Sequence, residues 1–161
     1  MTPRLHHVAI STPDADRLVA FYRDLLGFGV VYSGAWSRGS AAADALTALE
    51  GSSARQVMLR AGNAYLELFE FSSPAAAPAA ADRPVCDHGL THLCLLVDDV
   101  DAEQERLSAA GVPFHSAPED LGLGVRTTYA RDPDGNVVEL KQLSSPSHPV
   151  ALPGFLPPSA V

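Results

Sequence analysis

The sequence predicts an α+β fold built from two tandem βαβββ modules. The order strand, helix and three further strands can be traced twice along the chain, and an Ala- and Pro-rich stretch separates the two passages. One His and one Glu also occupy matching places in each passage. The 161 residues suit a single domain of ordinary size. We therefore expect one domain over residues 1–143, with modules at 4–71 and 88–143 joined by a linker at 72–87.

The first module begins with a short apolar segment, residues 5–10, which a turn at 11–14 ends. Apolar residues at helical spacing from Leu18 to Leu26 predict a helix, with Pro13 at its first position and Gly27 after its end. A short helix is expected at 44–49. The remaining strands are expected at 28–32, 56–59 and 64–71.

The second module repeats this order after the linker. A strand is expected at 90–97, followed by a helix at 100–110 that Asp98 or Asp99 caps and Gly111 ends. A short strand at 113–116 and a hairpin of 125–131 with 137–142 complete the module. Residues 144–161 contain five prolines and no periodic pattern, so they form either a disordered tail or an extended strap.

Composition excludes several classes of partner. The formal charge of −8 makes nucleic acid and anionic membranes poor partners for the average surface. No apolar run is long enough to cross a membrane and no signal peptide is recognised, so we expect a cytoplasmic protein. Cys86 and Cys94 lie outside any CxxC pattern and are expected to be reduced thiols.

Strand parity indicates a metal site. Successive side chains of a strand point to alternate faces of the sheet. The apolar neighbours of His7 and His92 are expected to pack against the helix, so the two histidines are expected on the opposite, open face. Glu67 and Glu139 each lie between apolar neighbours, where an unpaired charge is costly and a bound cation would remove that cost. Two imidazoles and two carboxylates suit one divalent ion, either Zn, Ni, Co, Mn or Fe(II).

Several segments resemble those of the vicinal oxygen chelate superfamily, which includes glyoxalases, bleomycin resistance proteins and extradiol dioxygenases. The resemblance covers residues 5 to about 142, and its segments are 5–10, 21–28, 65–69, 90–93 and 132–140. It implies a cupped, mostly antiparallel sheet with helices outside. It also implies that the metal ligands are His7, Glu67, His92 and Glu139.

The resemblance favours an enzyme that acts on a small substrate with two neighbouring oxygens through a metal-stabilised enolate, a lyase or isomerase of the glyoxalase and epimerase type. The arginine and asparagine that anchor glutathione in glyoxalase I have no counterparts near Ser11 and Phe71. Methylmalonyl-CoA epimerase is similar at His7, His92 and Glu139. Its further catalytic glutamate has no convincing counterpart.

Specific roles follow from this resemblance. Glu67 or Glu139 is the expected base, and Tyr129 is expected to assist at the second oxygen. Substrate contacts are expected from Tyr65, Phe69, Cys94 and Arg126. Because Tyr129 stands ten residues before Glu139, as in extradiol dioxygenases, an Fe(II) dioxygenase is the first alternative. The extra catalytic histidines of those dioxygenases have no obvious counterpart, and among the other histidines only His115 lies in a suitably placed segment.

The remaining alternative is a binding protein without catalysis. Resistance proteins of the superfamily sequester a planar antibiotic, and the aromatic walls for this purpose would be Trp36, Tyr65, Phe69 and Tyr129. The complete ligand set argues against this alternative, because sequestration needs no inward polar cluster. We expect the chain to form a homodimer, and the sequence leaves open whether a site lies within one chain or is shared.

Overall fold

A computed structural model describes residues 3–78 and 80–152. The chain divides into two compact units, Met1–Ala79 and Ala80–Val161, and each unit is described by itself. Both units are α+β, and each contains one four-stranded mixed sheet. The repeat predicted from the sequence is therefore present, with a boundary inside the expected linker.

The first unit contains four strands, two α-helices and a π-helical turn. The elements are β1 (His7–Ser11), α1 (Ala15–Ala20), the π-helical turn (Phe21–Leu25), β2 (Gly29–Trp36), α2 (Ala41–Thr47), β3 (Ser53–Ala61) and β4 (Ala64–Ser73). The strand order is β1-β4-β3-β2, and only the β1–β4 pair is parallel.

Helix α1 packs one face on the sheet. Asp14 caps it by accepting from the backbone N–H of Arg17, so the helix begins at Ala15, two residues after the first position predicted at Pro13. Leu18 and Tyr22 are fully buried, and they provide the helical side of a core that Leu59 and Leu68 complete from the strands. This packing covers one face of the sheet and leaves the other face for the site.

The second unit repeats the arrangement with fewer helices. Its elements are β5 (His92–Leu96), α3 (Val100–Ala109), β6 (Glu119–Asp120), β7 (Val125–Arg131) and β8 (Val137–Leu143). The strand order is β5-β8-β7-β6, and again only the first pair is parallel. Asp99, one of the two expected caps, accepts from the N–H groups of Asp101 and Ala102.

Several predicted strands differ from those observed, and β3, expected at 56–59, spans Ser53–Ala61. Strand β2 extends beyond Tyr32 to Trp36. The expected strand at 113–116 is reduced to a single bridge between Phe114 and Ala130, and β6 lies further along the chain. Pro113 contributes to this reduction, because its carbonyl accepts from the Arg131 N–H but it has no N–H to donate back to β7.

The start of the proline-rich tail lies against the β6–β7 loop. The Ser144 N–H donates to the Gly124 carbonyl at 2.9 Å, and Nε2 of His148 lies 3.1 Å from the Leu123 carbonyl oxygen. The expected tail extends to residue 161, and its last nine residues lie outside the described residues. No helix within the described residues is long and apolar enough to cross a membrane.

Candidate functional site

The open face of each sheet carries the predicted ligands. In β1, Ile10 is buried, whereas His7, Ala9 and Ser11 are exposed, which is the alternation expected from strand parity. Glu67 and Glu139 lie at the centres of β4 and β8, each beside the parallel edge strand that carries the histidine. The topology thus brings one His and one Glu together in each unit.

In the first unit His7 and Glu67 form a close pair. Nε2 of His7 lies 3.2 Å from Oε2 of Glu67, whose side chain is only 8% exposed. The amide of Gln56 donates to the other carboxylate oxygen, Oε1. One oxygen of Glu67 is therefore held by β3, and the other faces the imidazole.

The second unit repeats this pair with His92 and Glu139. Nε2 of His92 lies 3.0 Å from Oε2 of Glu139. The Thr127 hydroxyl lies 2.7 Å from Oε1, and the Lys141 ammonium lies 3.2 Å from the same oxygen. Glu139 is thus also held through one oxygen while the other faces a histidine.

The two Glu sites are matched but not identical. Gln56 lies opposite Phe69, and Thr127 lies opposite Lys141, so both donors stand across from the residue two after the glutamate. Neither donor was predicted from the sequence. The visible signal was a polar side chain on the open face of the neighbouring strand. The first unit has aromatic Phe69 where the second has cationic Lys141.

Charge and burial shift several pKa values around Glu139. Burial opposes ionisation of Glu139, but hydrogen bonds from Thr127, Cys94 and Lys141 outweigh it and hold the pKa of this carboxyl below its usual range. Desolvation and the charge of Glu139 raise the pKa of Cys94 to about 12 and also raise the pKa of Tyr129. Near neutral pH, Glu139 is therefore ionised while the thiol and the phenol keep their protons.

The aromatic residues expected at the site lie beside the ligand pairs. Tyr129 packs against His92 with ring centroids 5.1 Å apart. Tyr65 stacks on His6 at 4.8 Å, and Phe69 contacts Trp36 at 5.8 Å. These placements are compatible with the expected substrate contacts.

Arg126 does not lie with the other expected contacts. It precedes Thr127, so it faces the side of the sheet that α3 covers, and its guanidinium pairs with both oxygens of Asp101. This ion pair is a bidentate link between β7 and α3. The role of substrate contact expected for Arg126 stays a prediction.

The ligand pairs fit a divalent ion by geometry and by donor type. Two ligands about 2.1 Å from one ion and at right angles lie roughly 3 Å apart, which is close to the observed N···O separations of 3.2 and 3.0 Å. Imidazole nitrogen and carboxylate oxygen also match the metals expected from the sequence. Within either unit, the described residues bring together no group of three or more metal-ligating side chains.

Comparison with known proteins places the chain in a family. Residues 4–140 match the Glyoxalase/Bleomycin resistance protein/Dioxygenase superfamily. A 2-epi-5-epi-valiolone epimerase from an Actinomyces species is 34% identical over 151 residues, covering 86% of this chain and 79% of that protein.

Solved structures agree with this placement. A lactoylglutathione lyase from Agrobacterium tumefaciens has 29% identity and a TM-score of 0.55, covering 88% of this chain and 94% of that one. A glyoxalase family protein from Bacillus cereus shares the fold, with a TM-score of 0.81 at 20% identity, covering 90% of this chain and 97% of that one. The chain therefore belongs to the glyoxalase, bleomycin resistance protein and dioxygenase superfamily.

Proposed function

We propose that this chain is a metal-dependent enzyme that isomerises or cleaves a small substrate bearing two neighbouring oxygens. His7, Glu67, His92 and Glu139 would together hold one divalent ion. The observation that carries the proposal is the repetition of the same His–Glu contact in both units, at 3.2 and 3.0 Å, with the second carboxylate oxygen held in each. An ion pair that only stabilises the fold would not need one carboxylate oxygen to be held and the other to face the histidine in both units.

The proposed chemistry assigns a task to each side chain. A bound divalent ion supplies Lewis-acid polarisation of a substrate carbonyl. Glu67 or Glu139 takes the proton from the carbon next to that carbonyl and returns it, because a carboxylate is the acceptor available in each unit. Tyr129 keeps its proton near neutral pH and can donate to the second substrate oxygen.

The relatives support the class of reaction. An epimerase and a lactoylglutathione lyase are both among the similar proteins. Inversion of a carbon centre next to a carbonyl requires removal and return of a proton, which is the step assigned to the glutamates. We propose a homodimer as the working assembly.

The test combines metal analysis with proton exchange. Protein purified without chelator and reloaded with Zn, Ni or Co is expected to hold about one ion per four-ligand site. Solvent deuterium is expected to enter the α-carbon of members of a panel of α-hydroxycarbonyls and 2-acyl thioesters. Glu67→Gln and Glu139→Gln should both slow this exchange, and the variant that lacks the base should abolish it. Metal content well below one ion per site after reloading would contradict the proposal and favour antibiotic sequestration by the aromatic residues.

A second candidate is an Fe(II) dioxygenase, and the ring contacts of Tyr129 with His115 and with His92 favour it. His115 lies edge-on to Tyr129 with centroids 6.0 Å apart, and Tyr129 packs on His92 at 5.1 Å. Among the remaining histidines, His115 is the one that the sequence placed in a suitable segment. Oxygen uptake with a catechol panel that depends on Fe(II) and is lost in His92→Ala would establish this candidate over the first.

A further inference from the structure

His6 contacts the proposed metal ligand His7 through the ring nitrogen that faces away from Glu67. The two Nδ1 atoms lie 2.9 Å apart, and the rings meet edge to face. His6 is itself oriented, because it stacks on Tyr65 and its carbonyl accepts from the Tyr65 N–H at 3.0 Å. The two imidazoles are therefore joined by a hydrogen bond whose donor is set by their tautomers.

The contact with Glu67 decides the tautomers of both rings in the metal-free protein. An ionised carboxylate can only accept hydrogen bonds, so Nε2 of His7 must carry the proton that it shares with Oε2 of Glu67. In a neutral His7 ring, Nδ1 then has a lone pair and can only accept. His6 must therefore donate from its own Nδ1.

Metal ligation by His7 requires the opposite arrangement. Nε2 must present a lone pair, so the proton of a neutral ring moves to Nδ1, which becomes a donor. A partner that could only donate would then face another donor. His6 can accept this bond, because a neutral imidazole can carry its proton on either nitrogen.

We propose that His6 is the positioning residue of His7, and that the two rings exchange tautomers when His7 takes up a metal; this inference rests on the proposed metal site. The proton between the two Nδ1 atoms passes from His6 to His7. The Nε2 proton of His7 leaves to solvent, and Nε2 of exposed His6 takes one from solvent. Both rings stay neutral, and the number of protons is unchanged.

The second unit has no equivalent of His6 at His92. Thr91 precedes His92, and Nδ1 of His92 is buried without a hydrogen-bond partner among residues 3–78 and 80–152. The positioning contact is therefore a property of the His7 half of the site. The second unit therefore serves as an internal comparison when the contact between His6 and His7 is tested.

The test reads the tautomers directly by long-range proton–nitrogen NMR correlation at a pH where both rings are neutral. In the metal-free wild type, we expect His6 protonated on Nδ1 and His7 protonated on Nε2. Addition of Zn²⁺ should move the protons to Nε2 of His6 and Nδ1 of His7. His6 with its proton on Nε2 in the metal-free protein would overturn the proposal.

Three variants separate positioning from folding. His6→Phe keeps an aromatic ring to stack on Tyr65 but has no ring nitrogen, and we expect about tenfold weaker Zn²⁺ binding. His6→Asn offers an amide that can donate or accept, so it should restore most of the affinity. Thr91→Val, the matched change before His92, should leave the His7 tautomer and Zn²⁺ affinity unchanged.

The failures of the two proposals can be told apart. Wild-type Zn²⁺ affinity in folded His6→Phe would overturn the role of His6 while leaving the metal site standing. A wild type that binds no Zn²⁺ would remove the metal site and with it the positioning role, whatever the metal-free spectra show about the shared proton. Circular dichroism establishes that each variant is folded.

Discussion

The hydroxyl of Thr127 lies 2.7 Å from Oε1 of Glu139, and both residues are buried in the second sheet. The same hydroxyl lies 2.9 Å from the Leu140 carbonyl, but the charge of the carboxylate makes Glu139 the stronger acceptor. This contact contributes to keeping Glu139 ionised while its other oxygen faces His92.

Thr127→Val is expected to destabilise the protein by about 1–3 kcal/mol near neutral pH, because a buried carboxylate loses a donor. The folded-state pKa of Glu139 is depressed, so its stabilising contribution is present above the unfolded pKa and is lost as pH falls through the folded pKa. The difference between wild type and variant should therefore shrink in acid. Urea denaturation across a pH series measures it.

Thr128→Val is the matched control for this prediction. Thr128 is also buried, but its hydroxyl donates to the Ser116 carbonyl and does not contact Glu139. Its loss should cost stability equally at neutral and acidic pH. A Thr127→Val effect with the same flat pH profile would show that Thr127 does not act through the carboxylate.

Glu139→Gln and Glu67→Gln are each expected to weaken metal binding by about tenfold or more, since a neutral amide replaces an anionic ligand of the same size. Competition titration with a chelating dye measures the affinity for Zn²⁺. Glu119→Gln, an exposed change in β6, serves as the control for charge alone. Unchanged affinity in Glu139→Gln would remove this residue from the site.

Arg126→Met is expected to leave metal content and activity unchanged. Its guanidinium faces Asp101 of α3 and lies on the side of the sheet opposite Glu139. Because both side chains are substantially exposed, loss of the ion pair should lower the denaturation midpoint only slightly. A marked loss of substrate affinity would instead support the expected role of Arg126 as a substrate contact.

The sequence predicted the repeat and the orientation of the candidate ligands because both depend on local patterns. Alternation in the opening strands placed His7 and His92, and apolar neighbours marked Glu67 and Glu139 as unusual. The face on which Arg126 lies could not be predicted, because it depends on the register of β7 with β8, which a run of polar residues does not fix. Gln56 and Thr127 were missed for the same reason, since a donor across a strand is visible only once the pairing is known.

Leu68→Ala is expected to destabilise the protein by about 2–5 kcal/mol, because this fully buried side chain of β4 packs in the core under α1. Leu46 of α2 is 87% exposed, so Leu46→Ala should change stability by less than about 0.5 kcal/mol. Chemical denaturation compares the two variants. Equal effects would contradict the division between the covered and open sides of the first unit.

Lys141→Met is expected to strengthen binding of Zn²⁺ several-fold. The ammonium lies 3.2 Å from Oε1 of Glu139 and adds a positive charge that repels a divalent cation at the same carboxylate. Phe69 occupies the matching place beside Glu67, so the first unit shows that the pair forms without a cation there.

Lys141→Arg keeps the charge and should bind Zn²⁺ like the wild type, and both variants can be compared by competition titration at low and high salt. The gain in Lys141→Met should diminish at high salt, since screening weakens the repulsion that Lys141 exerts in the wild type. Weaker binding in Lys141→Met would mean that the ammonium acts mainly by holding Glu139 toward His92. In that case, the contact between Thr127 and Glu139 would be insufficient to orient the carboxylate.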